Sequence, residues 1–203
     1  MSLAPKQFGL HVLDGSLYVY ETPVWEEETR LIHAVRKLTQ SEKPFLTGLE
    51  VERIEETLGI TYNPEQRAAF DLLKTSGIKI LTGPPGSGKT AMIRGLMEQV
   101  RRSAPEKQIQ LSATTGRASQ VLSASCGRPA ETVHKLLGIR PFGDTLWSRN
   151  ESNPVEADFL IVDEVSMLGL KLASLLFRAV KPGSILLLVG DDNQLQSVEY
   201  GNV

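Results

Sequence analysis

One segment of this 203-residue chain constrains its fold more than any other, because it combines closely spaced glycines with a lysine and a hydroxyl. It reads Gly83, Pro84, Pro85, Gly86, Ser87, Gly88, Lys89 and Thr90. Glycines let a loop wrap closely, so that backbone N–H groups can point at phosphate oxygens. An apolar strand candidate at residues 78–82 precedes the segment, and a helix candidate at residues 91–100 follows it. This order predicts a phosphate-binding loop at the positive N-terminal end of a helix.

The last two residues of the segment supply its side-chain chemistry. We expect Lys89 to reach the β- and γ-phosphates of a bound nucleotide, and Thr90 to bind Mg²⁺. The helix candidate that follows has one apolar face, as a helix packed on a sheet requires. That face consists of Met92, Ile93, Leu96, Met97 and Val100.

Two adjacent acids follow a second apolar strand candidate, residues 159–162. We expect Asp163 to hold Mg²⁺, largely through the water shell that this ion keeps. We expect Glu164 to orient and deprotonate an attacking water. The same pattern also fits a plain strand followed by a solvated turn, and it is the phosphate-binding loop upstream that favours the catalytic interpretation.

A further strand candidate, residues 185–189, ends in Gly190 and a polar cluster. Ligands of open parallel sheets bind at the carboxyl ends of the strands, so we expect this end to converge with the other two. Gln194 carries an uncharged amide that can bond a γ-phosphate or an attacking water without adding negative charge. It is therefore a candidate catalytic sensor of the γ-phosphate.

Short apolar strands alternate with helices from residue 61 onwards, which predicts an α/β domain with a mainly parallel sheet covered on both faces. Ile109–Ala113 is another strand of this pattern. Before this domain, apolar and other residues alternate loosely on both sides of Asp14 and Gly15, which predicts a hairpin. A helix is predicted after the hairpin, with Leu31, Ile32, Val35 and Leu38 at helical spacing. We therefore divide the chain into a hairpin-and-helix segment, residues 1–48, and an α/β domain, residues 49–203.

Composition excludes several classes of protein. Hydrophobic residues make up 41% and charged residues 23% of the chain, as in ordinary globular proteins. No apolar run approaches the roughly 18 residues that a membrane span needs, so we expect no membrane partner. The single cysteine, Cys126, allows no internal disulfide and favours a cytoplasmic location. The net charge of −2 provides no general attraction to nucleic acid, so any such binding must use a local surface.

Six segments in a fixed order resemble superfamily 1 helicases, most closely the RecD-like branch, the exonuclease V alpha-subunit family. They are Gln66, GPPGSGKT (83–90), TTGRAS (114–119), ETVHKLLG (131–138), LIVDEVSM (160–167) and GDDNQLQSV (190–198). The resemblance covers about residues 60–203. It implies a RecA-like P-loop NTPase domain that uses ATP and Mg²⁺ and serves 5′ to 3′ movement on single-stranded DNA.

The resemblance also implies roles that spacing does not show. Gln66 is similar to a glutamine that reads the adenine edge, although by itself it fits a surface helix residue. Thr115, the Gly116 amide and Arg117 look like a motif that meets the phosphates of the single strand, for which they are suitable donors. Without the resemblance, the same residues indicate the N-terminus of a helix.

His134 and Lys135 lie in a segment that resembles one beside the DNA path of the RecD-like branch. The alternatives are a packed or capping histidine and a solvated lysine.

The chain also departs from the usual residues of the family. Thr114 stands where proline is usual, and Pro84 stands where glycine is frequent.

A superfamily 1 motor also needs a second RecA-like domain, whose arginine finger stabilises charge in the transition state. No motif of that domain follows Gln194, so we expect this chain to be a fragment of a longer helicase. The expected partners are single-stranded DNA, the second domain of the same parent chain and subunits of a nuclease complex. Two other functions remain open: a nucleotide-dependent switch or clamp acting on a protein, and a small-molecule kinase.

Overall fold

The computed structural model describes residues 8–139 and 148–191. Its strands are β1 (Phe8–Leu13), β2 (Ser16–Glu21), β3 (Gly77–Thr82), β4 (Ile109–Ala113), β5 (Ala130–Thr132), β6 (Phe159–Asp163) and β7 (Ile185–Gly190). Its α-helices are α1 (Thr22–Gln40), α2 (Val51–Leu58), α3 (Pro64–Ala68), α4 (Lys89–Ser103), α5 (Gly116–Cys126), α6 (Val133–Leu136) and α7 (Leu170–Ala179). Two 3₁₀ turns, Ala69–Leu73 and Val165–Met167, complete these elements.

Five of the strands form one parallel sheet in the order β3-β7-β6-β4-β5. The order places β7 between the strand that leads into the phosphate-binding loop and the strand that ends in Asp163. Because all five strands run in the same direction, their carboxyl ends meet at one edge of the sheet. The predicted α/β class with a mainly parallel sheet is confirmed.

The central strands are buried on both faces, which explains why their sequences are almost entirely apolar. Successive side chains of a strand point to opposite faces. Ile161 and Leu187 accordingly belong to the core on one face, together with helices α2 and α4. Leu160 and Leu186 belong to the core on the other face, together with α1 and α7. The two layers of helices keep water away from the hydrogen bonds of the sheet.

The hairpin of β1 and β2 forms around the predicted turn. Asp14 and Gly15 have φ angles of 49° and 77°, the left-handed conformation that a two-residue hairpin turn requires at both positions. The Tyr20 ring packs at 5.3 Å from the Trp25 ring and so joins the hairpin to α1. The opposite face of the hairpin is apolar and exposed, and it is formed by Phe8, Leu10, Val12, Leu17 and Val19.

The predicted helix after the hairpin is α1, and it ends before Ser41 as expected. It packs against α7, and Ala34 and Leu38 are buried in the shared core. Ile32, which the spacing placed on the same apolar face, is 50% exposed, so this part of the prediction was wrong. Successive residues of an α-helix lie about 100° apart around its axis, so Ile32 lies beside the apolar stripe that Leu31, Val35 and Leu38 form at i, i+4 and i+7. The division of the chain at residue 48 stays a prediction.

No helix within residues 8–139 and 148–191 is long and apolar enough to cross a membrane. The predicted sensor residue Gln194 lies outside these residues. The polar, turn-rich sequence of residues 141–154 predicts a surface loop, and residues 141–147 of it also lie outside the described residues. The part of that loop that is described contains a tight turn, in which Asn150 and Asn153 exchange backbone hydrogen bonds of 3.0 and 3.1 Å.

Candidate nucleotide and nucleic-acid site

The phosphate-binding loop ends where α4 begins, as the sequence predicts. Gly88 caps the helix with a φ of 87°, and no side chain accepts a hydrogen bond from the first turn. The first helical hydrogen bond runs from the Met92 N–H to the Gly88 carbonyl at 2.9 Å. The N–H groups at the start of α4 therefore have no intrahelical acceptor and lie at the positive end of the helix. This arrangement fits a phosphate group.

Two glycines of the loop lie close to neighbouring side chains. A Cβ on Gly83 would lie 2.6 Å from Ser87 Oγ, and a Cβ on Gly88 would lie 2.8 Å from Gln66 Nε2. Gly88 also needs the left-handed conformation, which other residues rarely adopt. The loop therefore folds back closely on itself and on α3, and a side chain at either position would displace the Ser87 hydroxyl or the Gln66 amide.

Lys89 turns back over the loop that precedes it. Its Nζ donates to the carbonyl oxygens of Gly83 and Pro84, the latter at 3.1 Å. These neutral acceptors hold the ammonium at the mouth of the loop, and a phosphate oxygen is a stronger acceptor for it. Thr90, the second residue of α4, is exposed beside it. Both residues therefore stand at the start of α4, as the sequence predicts, and their roles toward phosphate and Mg²⁺ stay predictions.

The two predicted carboxylates stand at the end of β6. Burial raises the pKa of Asp163, while the Glu164 N–H, which donates to Asp163 Oδ1 at 2.9 Å, and the charge of Lys89 both oppose that rise. The positive charge of Lys89 thus favours the ionised form of Asp163. Hydroxyl and carboxylate oxygens are ligands that Mg²⁺ prefers, so Thr90 and Asp163 fit this ion, with water completing its shell.

Glu164 has an unusual backbone. Its φ of 59° lies in the left-handed region, where residues other than glycine are uncommon and which costs roughly 1–3 kcal/mol at such positions. Its carbonyl accepts from the Met167 N–H at 3.2 Å and from Thr114 Oγ1 at 3.0 Å. Strain of this kind persists when neighbouring contacts over-determine it, and such residues cluster at functional sites.

Gln66 lies on the short helix α3 and contacts the phosphate-binding loop. A capping box fixes it: Asn63 Oδ1 accepts from the Gln66 N–H at 2.8 Å, and Gln66 Oε1 accepts from the Asn63 N–H at 3.0 Å. Gln66 Nε2 donates to the Ser87 carbonyl at 3.0 Å. The expected helix position is correct, and the contact with the loop is an addition that sequence spacing does not show.

Sequence reasoning missed the residues that hold α3 in place. Glu55 Oε1 accepts from the Tyr62 N–H at 2.6 Å, and its other oxygen accepts from the guanidinium of Arg67. Arg67 also bonds Glu52 at 2.9 Å. Glu55 lies on α2, 12 positions before Arg67, and a separation of that size leaves no periodic signal in the sequence.

The residues expected to contact single-stranded DNA follow two adjacent β-strands, β4 and β5. Thr115 caps α5, accepting from the Ala118 N–H at 3.1 Å, while Gly116 and Arg117 are exposed. The expected helix N-terminus is therefore present. On the next strand, His134 and Lys135 of α6 are exposed. Ala113 stands opposite Thr132 in the β4–β5 pair, so both groups leave the sheet at the same edge.

Lys135 lies 3.8 Å from Glu131, and its side chain is 77% exposed. A pair this open to solvent contributes little stability, so the lysine keeps most of its freedom. His134 is exposed, so it is not a packed core histidine. At the end of β7, Asp191 is buried, and Gln194 lies beyond the described residues.

Known proteins resemble this chain at the level of both sequence and structure. The AAA domain family (AAA_19) matches residues 66–200. The RecBCD enzyme subunit RecD of Mycobacterium tuberculosis is 34% identical over 215 residues, which cover 96% of this chain and 36% of the relative. The ATP-dependent RecD2 DNA helicase of Deinococcus radiodurans is 34% identical over 187 residues, which cover 92% of this chain and 26% of the relative.

A solved structure of Pif1 helicases at forked double-stranded DNA has a TM-score of 0.51 and 24% identity, covering 68% of this chain and 35% of that one. That likeness supports the fold. The chain spans about a third of the length of the curated relatives given above. The resemblance to RecD-like helicases that the motifs indicate is confirmed by these matches. This chain belongs to the AAA domain family and is homologous to the RecD-type helicases.

Proposed function

We propose that this chain is the ATP-binding first motor domain of an ATP-dependent DNA helicase that moves 5′ to 3′ on single-stranded DNA. The observation that carries this proposal is the pairing of β4 with β6, in which Ala113 stands opposite Asp163. The loop predicted to contact the strand therefore begins beside the carboxylates predicted to act on ATP. In a motor, the DNA site and the ATP site must affect each other. A switch or a small-molecule kinase does not need a DNA-contacting loop next to its ATP site.

Adenine recognition falls to Gln66. The carboxamide of glutamine has two acceptor positions and two N–H donors. In this structure the bond from Asn63 uses one acceptor position, and the bond to Ser87 uses one donor. One acceptor position and one N–H donor of Gln66 are left. This pair matches the donor and the acceptor that adenine presents side by side. Gln66 can thus bind the base while it stays attached to the phosphate-binding loop.

Hydrolysis uses the other predicted residues. Lys89 and the N–H groups of the loop hold the β- and γ-phosphates, and Glu164 orients the attacking water and takes its proton. Thr90 and Asp163 would hold Mg²⁺, which neutralises charge on the phosphate oxygens. Gln194 is proposed as the sensor of the γ-phosphate. The adjacent carboxylates of Asp163 and Glu164 suit attack by water better than transfer to a bound hydroxyl.

We propose that a second RecA-like domain of the same parent chain completes the motor. Its arginine finger is worth about 10³–10⁵ in rate in related enzymes. These 203 residues alone are then expected to bind Mg·ATP, to hydrolyse it slowly and not to unwind a duplex. Residues 1–48 are proposed as a segment of their own that packs on the motor domain of residues 49–203.

We propose that the protein acts in the cytoplasm. Identity is 34% both to a subunit of the RecBCD enzyme and to RecD2, so sequence identity does not choose between a nuclease complex and a helicase without those subunits. The single cysteine, Cys126, is half-buried, and burial raises its pKa. A chain without possible internal disulfides favours the cytoplasm.

The test is steady-state ATP hydrolysis by the full-length protein, with and without a single-stranded oligonucleotide. Strong stimulation by the strand that Glu164→Gln abolishes supports a DNA-driven motor with Glu164 as base. Arg117→Ala is expected to weaken oligonucleotide binding. Arg128→Ala, at an exposed arginine just beyond the other end of α5, serves as the matched control. Hydrolysis that is indifferent to DNA would instead favour a switch or a kinase.

A further inference from the structure

Thr114 bonds the backbone of both predicted carboxylate residues, Asp163 and Glu164. Its N–H donates to the Asp163 carbonyl at 3.3 Å, and its Oγ1 donates to the Glu164 carbonyl at 3.0 Å. The residue is half-buried between the end of β4 and the start of α5. A proline, usual here in RecD-like helicases, has no N–H and no hydroxyl, so it could make neither bond.

These bonds act on the strained residue of the site. The Glu164 carbonyl accepts from Met167 as well as from Thr114, so both of its acceptor positions are used. Thr114 thus fixes the peptide planes on both sides of Glu164, because its N–H bonds the Asp163 carbonyl and its hydroxyl bonds the Glu164 carbonyl. Together the two bonds help to hold the left-handed conformation of Glu164, whose φ is 59°. The direction of the Glu164 side chain therefore depends on where Thr114 lies.

The other neighbour of Thr114 belongs to the loop predicted to meet the strand. Thr115 caps α5 through its hydroxyl, and its carbonyl accepts from the Ser119 N–H at 3.0 Å. A DNA phosphate that binds at Thr115, Gly116 or Arg117 would pull on the first turn of α5 and could shift it. Thr114 is covalently joined to that turn, so a shift of the turn moves both hydrogen bonds to the carboxylate segment.

We propose that Thr114 is a positioning residue that couples DNA contact at residues 115–117 to the orientation of Glu164. The inference rests on the proposed function, and it adds a route by which the strand acts on hydrolysis. Because a proline cannot supply that route, it is a property of this chain's own residue rather than of the motif. Strand binding then raises the hydrolysis rate at saturating ATP more than it changes the affinity for ATP.

The experiment compares Thr114→Val, which keeps the shape and removes the hydroxyl, with Thr114→Ser, which keeps the hydroxyl. ATP hydrolysis by the full-length protein is measured with and without saturating single-stranded oligonucleotide, and thermal melting checks the fold. We expect the ratio of stimulated to unstimulated kcat to fall about fivefold in Thr114→Val, the equivalent of one hydrogen bond. The KM for ATP should change less than about twofold, and Thr114→Ser should keep the wild-type ratio.

A merely structural role lowers both rates together and leaves their ratio unchanged, and that result would overturn the inference. An unchanged ratio in Thr114→Val with wild-type rates would overturn it as well. If the wild-type protein itself shows no stimulation by the strand, the proposed function fails, and the inference fails with it. Stimulation of the wild type that Thr114→Val fully retains sinks the inference alone.

Discussion

Glu55 and Arg67 form an ion pair that links helix α2 to helix α3. The Glu55 side chain is only 11% exposed, and its second oxygen accepts from the Tyr62 N–H at 2.6 Å. One carboxylate therefore fixes the backbone before the Asn63–Gln66 capping box and the side chain after it. The position of Gln66 beside the phosphate-binding loop therefore depends on Glu55, whose hydrogen-bond partners are Tyr62 and Arg67.

The first prediction concerns the preference for adenine. Glu55→Ala should weaken ATP binding by about tenfold, because losing a charge-assisted hydrogen bond frees α3 and with it Gln66. Affinity for inorganic tripolyphosphate, which has no base, should change less than about twofold. Titration calorimetry measures both ligands. Glu56→Ala, at the exposed neighbour on α2, is the matched control, and an equal loss for both ligands would contradict the positioning role.

The second prediction concerns the phosphates. Lys89→Met should weaken both ATP and tripolyphosphate by about 30-fold or more, since the ammonium bonds charged oxygens directly. The thermal midpoint of unfolding should change little, because among residues 8–139 and 148–191 Lys89 hydrogen-bonds only the neutral carbonyls of Gly83 and Pro84. Lys171→Met, at an exposed lysine on α7, should keep wild-type affinity. Unchanged tripolyphosphate binding by Lys89→Met would reject the proposed site.

The third prediction concerns the packing of the Tyr62 and Phe70 rings on α4. A Cβ on Gly95 would lie 2.9 Å from Tyr62 Cζ and 3.0 Å from Phe70 Cζ, two rings that pack edge to face. Gly95→Ala should therefore lower the free energy of unfolding by about 1–3 kcal/mol, although alanine normally favours a helix. Denaturant titration measures this change. Gly116→Ala meets no atom within 4 Å and should not be destabilising; similar effects of the two variants would exclude the packing explanation.

The fourth prediction concerns alkaline pH. Burial raises the pKa of Tyr62 from 10.0 to about 12, and its hydroxyl donates to the Ala91 carbonyl at 3.0 Å. A raised folded-state pKa means that this contribution to stability is fully present below pH 10 and is lost as the pH rises towards about 12. The difference in ultraviolet absorbance titration between wild type and Tyr62→Phe isolates this group. A transition near pH 10 in the folded protein would contradict the burial of the hydroxyl.

Local patterns in the sequence predicted the elements whose cause is local. The hairpin turn at Asp14 and Gly15 was correct because few residues other than glycine, asparagine and aspartate adopt two successive positive φ angles. Strands β6 and β7 were correct because a short apolar run with glycine or acidic residues at its end is typical of a buried parallel strand. The short strand β5 was missed, since three residues carry no period.

The amino-acid sequence by itself determined the phosphate-binding loop, the apolar face of α4 and the acids that end β6, because each is a property of residues adjacent or one helical turn apart. Only the tertiary structure decided that β7 lies between β3 and β6, that Glu55 holds Arg67, and that Thr114 bonds the Glu164 carbonyl. These contacts join residues 12 to more than 100 positions apart. Hydrogen-bond partners at such separations are chosen by how whole strands and helices pack, and no local period records that choice.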